Sequence, residues 1–167
     1  MEGPSLVVAP EPWRSPVARA LIAALDADLD ERYAEDDADP ANEPDHAMLN
    51  LLDESVAPPL GAFLVARLDG EPAGCGALRP APTGEAGVAE IKRMYVVPWA
   101  RRRGASRSIL AALEAEARAL GYRAVVLETG TRQAEAMALY ESAGYEATAN
   151  YGAYRTSSLS RCYRKVL

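Results

Sequence analysis

Two cysteines and a single histidine are all the soft metal-binding chemistry this chain carries. Cys75 and Cys162 stand in separate strand-like segments without a CxxC partner or a nearby histidine, so neither a disulfide nor a zinc site is expected. His46, alone in the N-terminal part, supports no catalytic triad and no metal site. Positive charge is scarce as well. Eighteen Lys and Arg face 24 Asp and Glu, a formal net charge of -6, which lacks the broad basic surface that binds nucleic acid or anionic membranes. No run approaches the ~18 apolar residues of a membrane span. No early stretch joins a basic flank, an apolar core and a small-residue cleavage site, so the expected location is cytoplasmic. Repeats, low-complexity tracts and long linkers are also missing.

What is present reads as one globular domain over residues 1–167, with 49% apolar and 25% charged residues. "SLVV" (Ser5 to Val8) suits a short strand, and the Ser15-Pro16 start with Val17, Leu21, Ala24 and Leu25 at helical spacing predicts a helix. An acidic run from Asp26 to Asp45 follows, then a second helix is expected around His46 to Glu54, stopped by Pro58-Pro59. Asp69-Gly70 between two apolar runs is a strong hairpin signal. "GVAEIKRMYVV" suits a strand ending at Pro98, but Ile91 and Met94 cannot share one side of a regular period-two strand. A bulge near Lys92-Arg93 reconciles them and would splay this strand from a neighbour. Ile109, Leu110, Leu113, Ala117 and Leu120 then line one helix stripe ending at Gly121. A buried-type strand ("YRAVVLET"), a shorter helix ended by Gly144, and one or two last strands complete an α/β domain with a mixed sheet.

"VVPWARRRGAS" (Val96 to Ser106) places three arginines at the head of the helix that ends at Gly121. A strand that turns through glycine into a helix aims unpaired N–H groups and the positive end of the dipole at one point. Arg101, Arg102 and Arg103 add charge, while Gly104, Ala105 and Ser106 are small enough to admit a phosphate to the backbone. A diphosphate suits this better than a carboxylate. The nucleotide pattern G-x-x-x-x-G-K-[ST] is absent, and "GCGALR" lacks the third glycine and following helix of a dinucleotide fingerprint.

This loop resembles the coenzyme-A loop of the GNAT superfamily of acyl-CoA-dependent N-acyltransferases: an arginine or glutamine, two residues, Gly, one residue, then Gly or Ala. Arg101, Gly104 and Ser106 fill these places, serine being a small departure. "QAEAMALYESAGYEA" resembles a second family signature through Ala136, Tyr140, Gly144 and Tyr145, with Gln133 where asparagine is commoner. The resemblance implies a mixed, mostly antiparallel twisted sheet with a central splayed strand pair, flanked by about four helices. It further implies acetyl-CoA as acyl donor, with no metal. The backbone of Met94, Tyr95 and Val96 would meet the pantetheine arm, and that of Arg101 to Ser106 the pyrophosphate.

Acyl transfer to an amine needs a neutral nucleophile, a polarised carbonyl and a proton for the departing thiolate. An alkylamine with pKa near ~10.4 is neutral in only about one molecule in a few thousand at pH 7, so a base is useful. The resemblance implies Glu90 as that base and Tyr140 as the acid, with a strand N–H polarising the carbonyl. Tyr33, Tyr151 and Tyr154 are candidates to line an acceptor pocket, and Asp36, Asp37 or Asp39 to meet an ammonium group. The expected partner is a small-molecule amine, neither nucleic acid nor membrane; a homodimer, common in such folds, stays open. The alternatives are acetylation of a protein lysine or N-terminus, and a non-catalytic acyl-CoA-binding regulatory module.

Overall fold

The structure, a computed structural model, describes residues 3–45 and 52–167. Its frame is a seven-stranded sheet built from β1 (Leu6–Pro10), β2 (Ala62–Leu68), β3 (Glu71–Pro80), β4 (Val88–Val96), β5 (Ala124–Gly130), β6 (Glu146–Thr148) and β7 (Ser160–Val166). The spatial order is β1-β2-β3-β4-β5-β7-β6. Every neighbouring pair is antiparallel except β4 with β5. That parallel pair needs a crossover, which helix α2 (Ala105–Ala119) supplies.

Both sheet faces are covered, which is why β2 reads as a continuous apolar run rather than an alternating one. On one face lies α1 (Pro16–Tyr33), capped by Ser15, whose hydroxyl accepts the Ala18 N–H at 3.0 Å. Its Ala18, Leu21 and Leu25 pack with Phe63, Val65, Cys75, Ala77 and Tyr95. On the other face α2 sets Ile109, Leu110 and Leu113 against Leu64, Leu78, Ile91 and Leu127. Each fully buried leucine contributes on the order of 1.5–3 kcal/mol. The contact is close because β3 carries Gly76: a β-carbon there would stand 2.7 Å from Leu113 Cδ1 and 2.9 Å from Ile109 Cγ2. Helix α3 (Ala134–Ser142) follows β5 and adds Tyr140 to the α2-side core.

The hairpin forms where expected, with Asp69 at φ 51 and Gly70 at φ 88, the left-handed pair that a tight two-residue turn requires. The bulge is present too. Cys75 pairs with Tyr95 and Ala77 with Lys92, so Gly76 alone faces Arg93 and Met94, and Arg93 takes φ 57. The extra residue puts Ile91 and Met94 in the same core. Beyond it the sheet divides. β4 and β5 pair only from Val88↔Ala124 to Ile91↔Leu127, whereas β4 stays on β3 to Val96 and β5 stays on β7 to Gly130. A V-shaped opening therefore starts at Lys92 and Glu128.

The helix count differs from expectation: three α-helices among the described residues, against about four. The helix expected at 46–54 falls mostly on residues 46–51, outside the described residues. Its described end, Glu54–Val56, is a short 3-10 turn, because the Asp53 carboxylate takes the Ser55 N–H at 2.8 Å and its hydroxyl at 2.5 Å, closing one tight turn. Cys75 and Cys162 are buried free thiols, pushed by burial up to about 12 and about 11 respectively, and so chemically quiet.

Candidate active site

The opening between β4 and β5 widens into a cleft of about 630 Å³ lined from both sheet faces, by Leu25 and Leu29 on the α1 side and by Met94 and Tyr140 on the α2 side. Its walls come from α1, the end of β4, the end of β5, α3 and the loop before β7. Glu90, Met94, Gln133 and Tyr140 line it, as do Tyr33, Tyr151 and Tyr154. Asp36 and Asp37 stand in the wall, but Asp39 does not; its side chain caps the turn Pro40–Asn42. Asp36 is held by the Arg132 guanidinium, which keeps its carboxyl below the usual range.

Tyr140 enters from α3. Its ring packs edge-on to Tyr145 at 5.8 Å and tilted to Tyr163 at 6.1 Å. Burial raises the phenol well above its ordinary value, so it stays a proton donor across the neutral range. Gln133 sits at the head of the same helix, its amide donating to the Tyr33 hydroxyl at 3.3 Å.

Glu90 is 3% exposed and directly opposite Arg79 in the β3–β4 register. Arg79 Nε at 3.0 Å and Nη2 at 2.8 Å both donate to Glu90 Oε1. Lys92 Nζ lies 4.0 Å from the same oxygen; burial pulls its pKa down against the charge of Glu90. Tyr151 stands beside this carboxylate, raised first by burial and then by the Glu90 charge. Among the described residues, three buried side-chain polar atoms lack a hydrogen-bond partner: Arg93 Nε, Thr129 Oγ1 and the Tyr151 hydroxyl. All three residues line this cleft, which is where a polar ligand would complete them.

The arginine loop lies at the head of α2. Gly104 is the N-cap at φ 84, no side chain caps the helix, and no acid occupies its first turn. The first helical bond in this turn is Ser108 N–H to Gly104 C=O. The amides of Ala105, Ser106 and Arg107 are thus left without an i−4 acceptor inside the helix. Open space surrounds the Gly104 α-carbon. Small residues, uncapped amides and local positive charge fit a pyrophosphate.

The three arginines divide. Arg102 and Arg103 are exposed, while Arg101 folds back: its Nε donates to Val96 C=O at 3.0 Å, Nη2 is 3.5 Å from Asp28, and the guanidinium lies 5.9 Å from the Tyr95 ring centre. Its side chain ties the end of β4 to α1. Tyr95 turns into the α1-side core, Val96 packs at the opposite side, and Ala105 is buried.

Lys92 and Glu128 stand at the base of the V, and no motif marks them. Their one signal in the sequence is a charged residue interrupting each apolar strand, in "AEIKRM" and in "LETG".

Residues 27–145 match the Acetyltransferase (GNAT) family. An IAA acetyltransferase of Azospirillum brasilense is 39% identical over 98% of this chain and 99% of its own length. A Klebsiella pneumoniae structure assigned as an acyl-CoA N-acyltransferase is 31% identical, with TM-score 0.74 and 97% of both chains covered. A GNAT family acetyltransferase from Elizabethkingia anophelis, solved with acetyl-CoA bound, shares the fold at 17% identity and TM-score 0.63, over 97% of this chain and 98% of its own. The chain belongs to the GNAT acetyltransferase family and is an acyltransferase.

Proposed function

We propose that this protein transfers the acetyl group of acetyl-CoA to a primary amine of a small molecule, by direct attack in a ternary complex. The observation that carries this reading is one cleft lined from both sheet faces. It holds Met94, on the splayed strand that leads to the uncapped head of α2, together with Tyr33, Tyr151 and Tyr154. A donor thioester lying along the splayed strand and an acceptor amine held against the tyrosines can meet in the V.

In this reading the amides of Gly104 to Ser106 hold the pyrophosphate, with Arg102 and Arg103 supplying charge. The backbone of Met94 to Val96 orients the pantetheine arm, and a strand N–H beside the bulge polarises the carbonyl. Tyr140 supplies the proton that the sulfur needs on leaving. Arg101 acts through position, holding the end of β4. A pocket of about 630 Å³ suits a small molecule.

A thiol-release assay with acetyl-CoA and a panel of primary amines tests the reading. Acceptor-dependent thiol release, with an N-acetylated product found by mass spectrometry, supports it. Tight acetyl-CoA binding with no turnover of any amine would instead favour a regulatory acyl-CoA-binding module.

A further inference from the structure

Resting on that reading, we propose that Glu128, rather than Glu90, is the carboxylate that takes the proton from the attacking amine. Glu90 is already committed. Two N–H groups of the charged Arg79 guanidinium hold it at 3.0 and 2.8 Å and it is buried, whereas Glu128 is half-buried and takes a single neutral hydroxyl. It lies between Arg79 and Lys92, whose Nζ is 4.0 Å away.

Glu128 occupies the vertex of the V. It is the first β5 residue past the last β4–β5 pair, Ile91↔Leu127. Side chains alternate along a strand, so Leu127 faces the α2-side core that also holds Tyr140, and Glu128 faces the other way. Arg79, Glu90, Lys92 and Glu128 therefore make a row of alternating charge across β3, β4 and β5, with Glu128 at its open end. Ser160 donates to Oε2 at 2.9 Å, fixing the carboxylate and leaving Oε1 for a ligand. Glu128 and Tyr140 line the same cleft from opposite faces of the sheet. That is the placement needed for a proton to leave on one side of the reacting carbon and another to arrive on the other.

The surroundings favour proton uptake. Lys92 and Glu90 face Glu128 from β4, Ser160 and Cys162 from β7, Tyr151 and Tyr154 from the loop before β7; Asp36 and Asp37 line the same cleft. Burial dominates and raises the carboxyl, Ser160 and Lys92 oppose it, and Glu90 adds to the rise. A base raised toward working pH is more effective than an unperturbed carboxylate.

The protons balance. One passes from the substrate ammonium to Glu128 Oε1 and on to solvent, which frees the nitrogen lone pair. The C–N bond forms and the C–S bond breaks. The second nitrogen proton is then lost, replacing the one Tyr140 gave to sulfur. The products are an amide, a thiol and one released proton.

The test compares wild type, Glu128→Gln and Glu90→Gln as full chains. Carboxyl carbon-13 NMR of the ligand-free protein, assigned by the signal that Glu128→Gln removes, should show Glu128 titrating above the ordinary glutamate value of ~4.3. Thiol release is followed against pH with acetyl-CoA and two probes, n-butylamine and the weakly basic 2,2,2-trifluoroethylamine. With n-butylamine near neutrality, Glu128→Gln should lower kcat/KM by about 10²–10⁴. The deficit should shrink at alkaline pH and with trifluoroethylamine, which needs no base. A general loss of structure would not distinguish the two amines.

Equal deficits with both amines, loss of the acidic limb in Glu90→Gln instead, or a Glu128 carboxyl titrating at or below the ordinary value would overturn the assignment. If wild type acetylates neither amine, the primary-amine reading fails with these probes, while a Glu128 carboxyl titrating at or below ~4.3 overturns the assignment on its own.

Discussion

The hydroxyl of Tyr33, at the end of α1, fills the place that a β-carbon on Gly130 would need: such a carbon would lie 1.9 Å from that oxygen. Gln133 donates to the same hydroxyl at 3.3 Å, so α1, β5 and α3 meet at one point in the cleft wall. Gly130→Ala must push Tyr33 aside. Overpacking of this kind costs roughly 1–3 kcal/mol, and the cleft loses this part of its wall. The expected result is a lower melting temperature and a raised acceptor KM, with acetyl-CoA affinity unchanged by calorimetry. An unchanged acceptor KM would separate Tyr33 from substrate binding.

Arg79 and Glu90 are both about 5% exposed or less, and the pair is cross-strand rather than local. Arg79→Met strands a buried carboxylate, so urea denaturation should show a loss of about 3–5 kcal/mol. The double variant Arg79→Met/Glu90→Gln should recover much of that loss, because the buried carboxylate that lost its guanidinium partner is gone as well. A double variant no better than the single one would point to lost packing instead.

Tyr140→Phe keeps the ring against Tyr145 and Tyr163 and removes only the hydroxyl. Turnover should fall by about 10²–10⁴ while the acetyl-CoA Kd stays as in wild type. Burial raises the phenol, so wild-type kcat should show no decline from ionisation of this group up to about pH 9. A basic limb abolished by Tyr140→Phe at lower pH would contradict the donor role.

Gly104→Asp sets a carboxylate at the head of α2, at a position with φ 84 that disfavours any side chain. Calorimetry should show acetyl-CoA and CoA binding to wild type, no comparable binding of ATP, and loss of the CoA compounds in the variant. Undiminished affinity would move the pyrophosphate away from this loop.

Glu128 offers a stability test that is independent of turnover. Its carboxyl is raised in the folded state, chiefly by burial, so the folded chain binds this proton more readily than the unfolded chain. That contribution to stability is present at acid pH and declines as pH rises from the unfolded toward the folded pKa. Glu128→Gln should therefore match wild type near pH 4 and be the more stable of the two at pH 7, as read from denaturant midpoints. The opposite order at pH 7 would mean the carboxylate is stabilised where it stands.

Short-range physics made much of this protein legible in its residues. Asp69-Gly70 turns a hairpin because two adjacent left-handed residues suffice. The Ser15-Pro16 start and the stripe from Ile109 to Ala117 specify helices within a few turns. The clash of phase between Ile91 and Met94 requires a bulge whatever lies next to the strand. The head of α2 displays three arginines and then Gly104, Ala105 and Ser106 in a row of six.

The base of the site was different, because its members are far apart in the chain. Arg79 meets Glu90 only through the β3–β4 register, Glu128 stands beside Lys92 only because β4 and β5 are parallel and then part, and Tyr33 reaches Gln133 across 100 positions. Arg101 shows the same limit. Its place in the loop suggests a phosphate ligand, yet Val96, Asp28 and Tyr95 draw its side chain back onto the strand. Local propensity chose the elements and the glycine turn at the head of α2. Strand order, register and burial decided which carboxylate is locked in an ion pair and which stands at the vertex of the V.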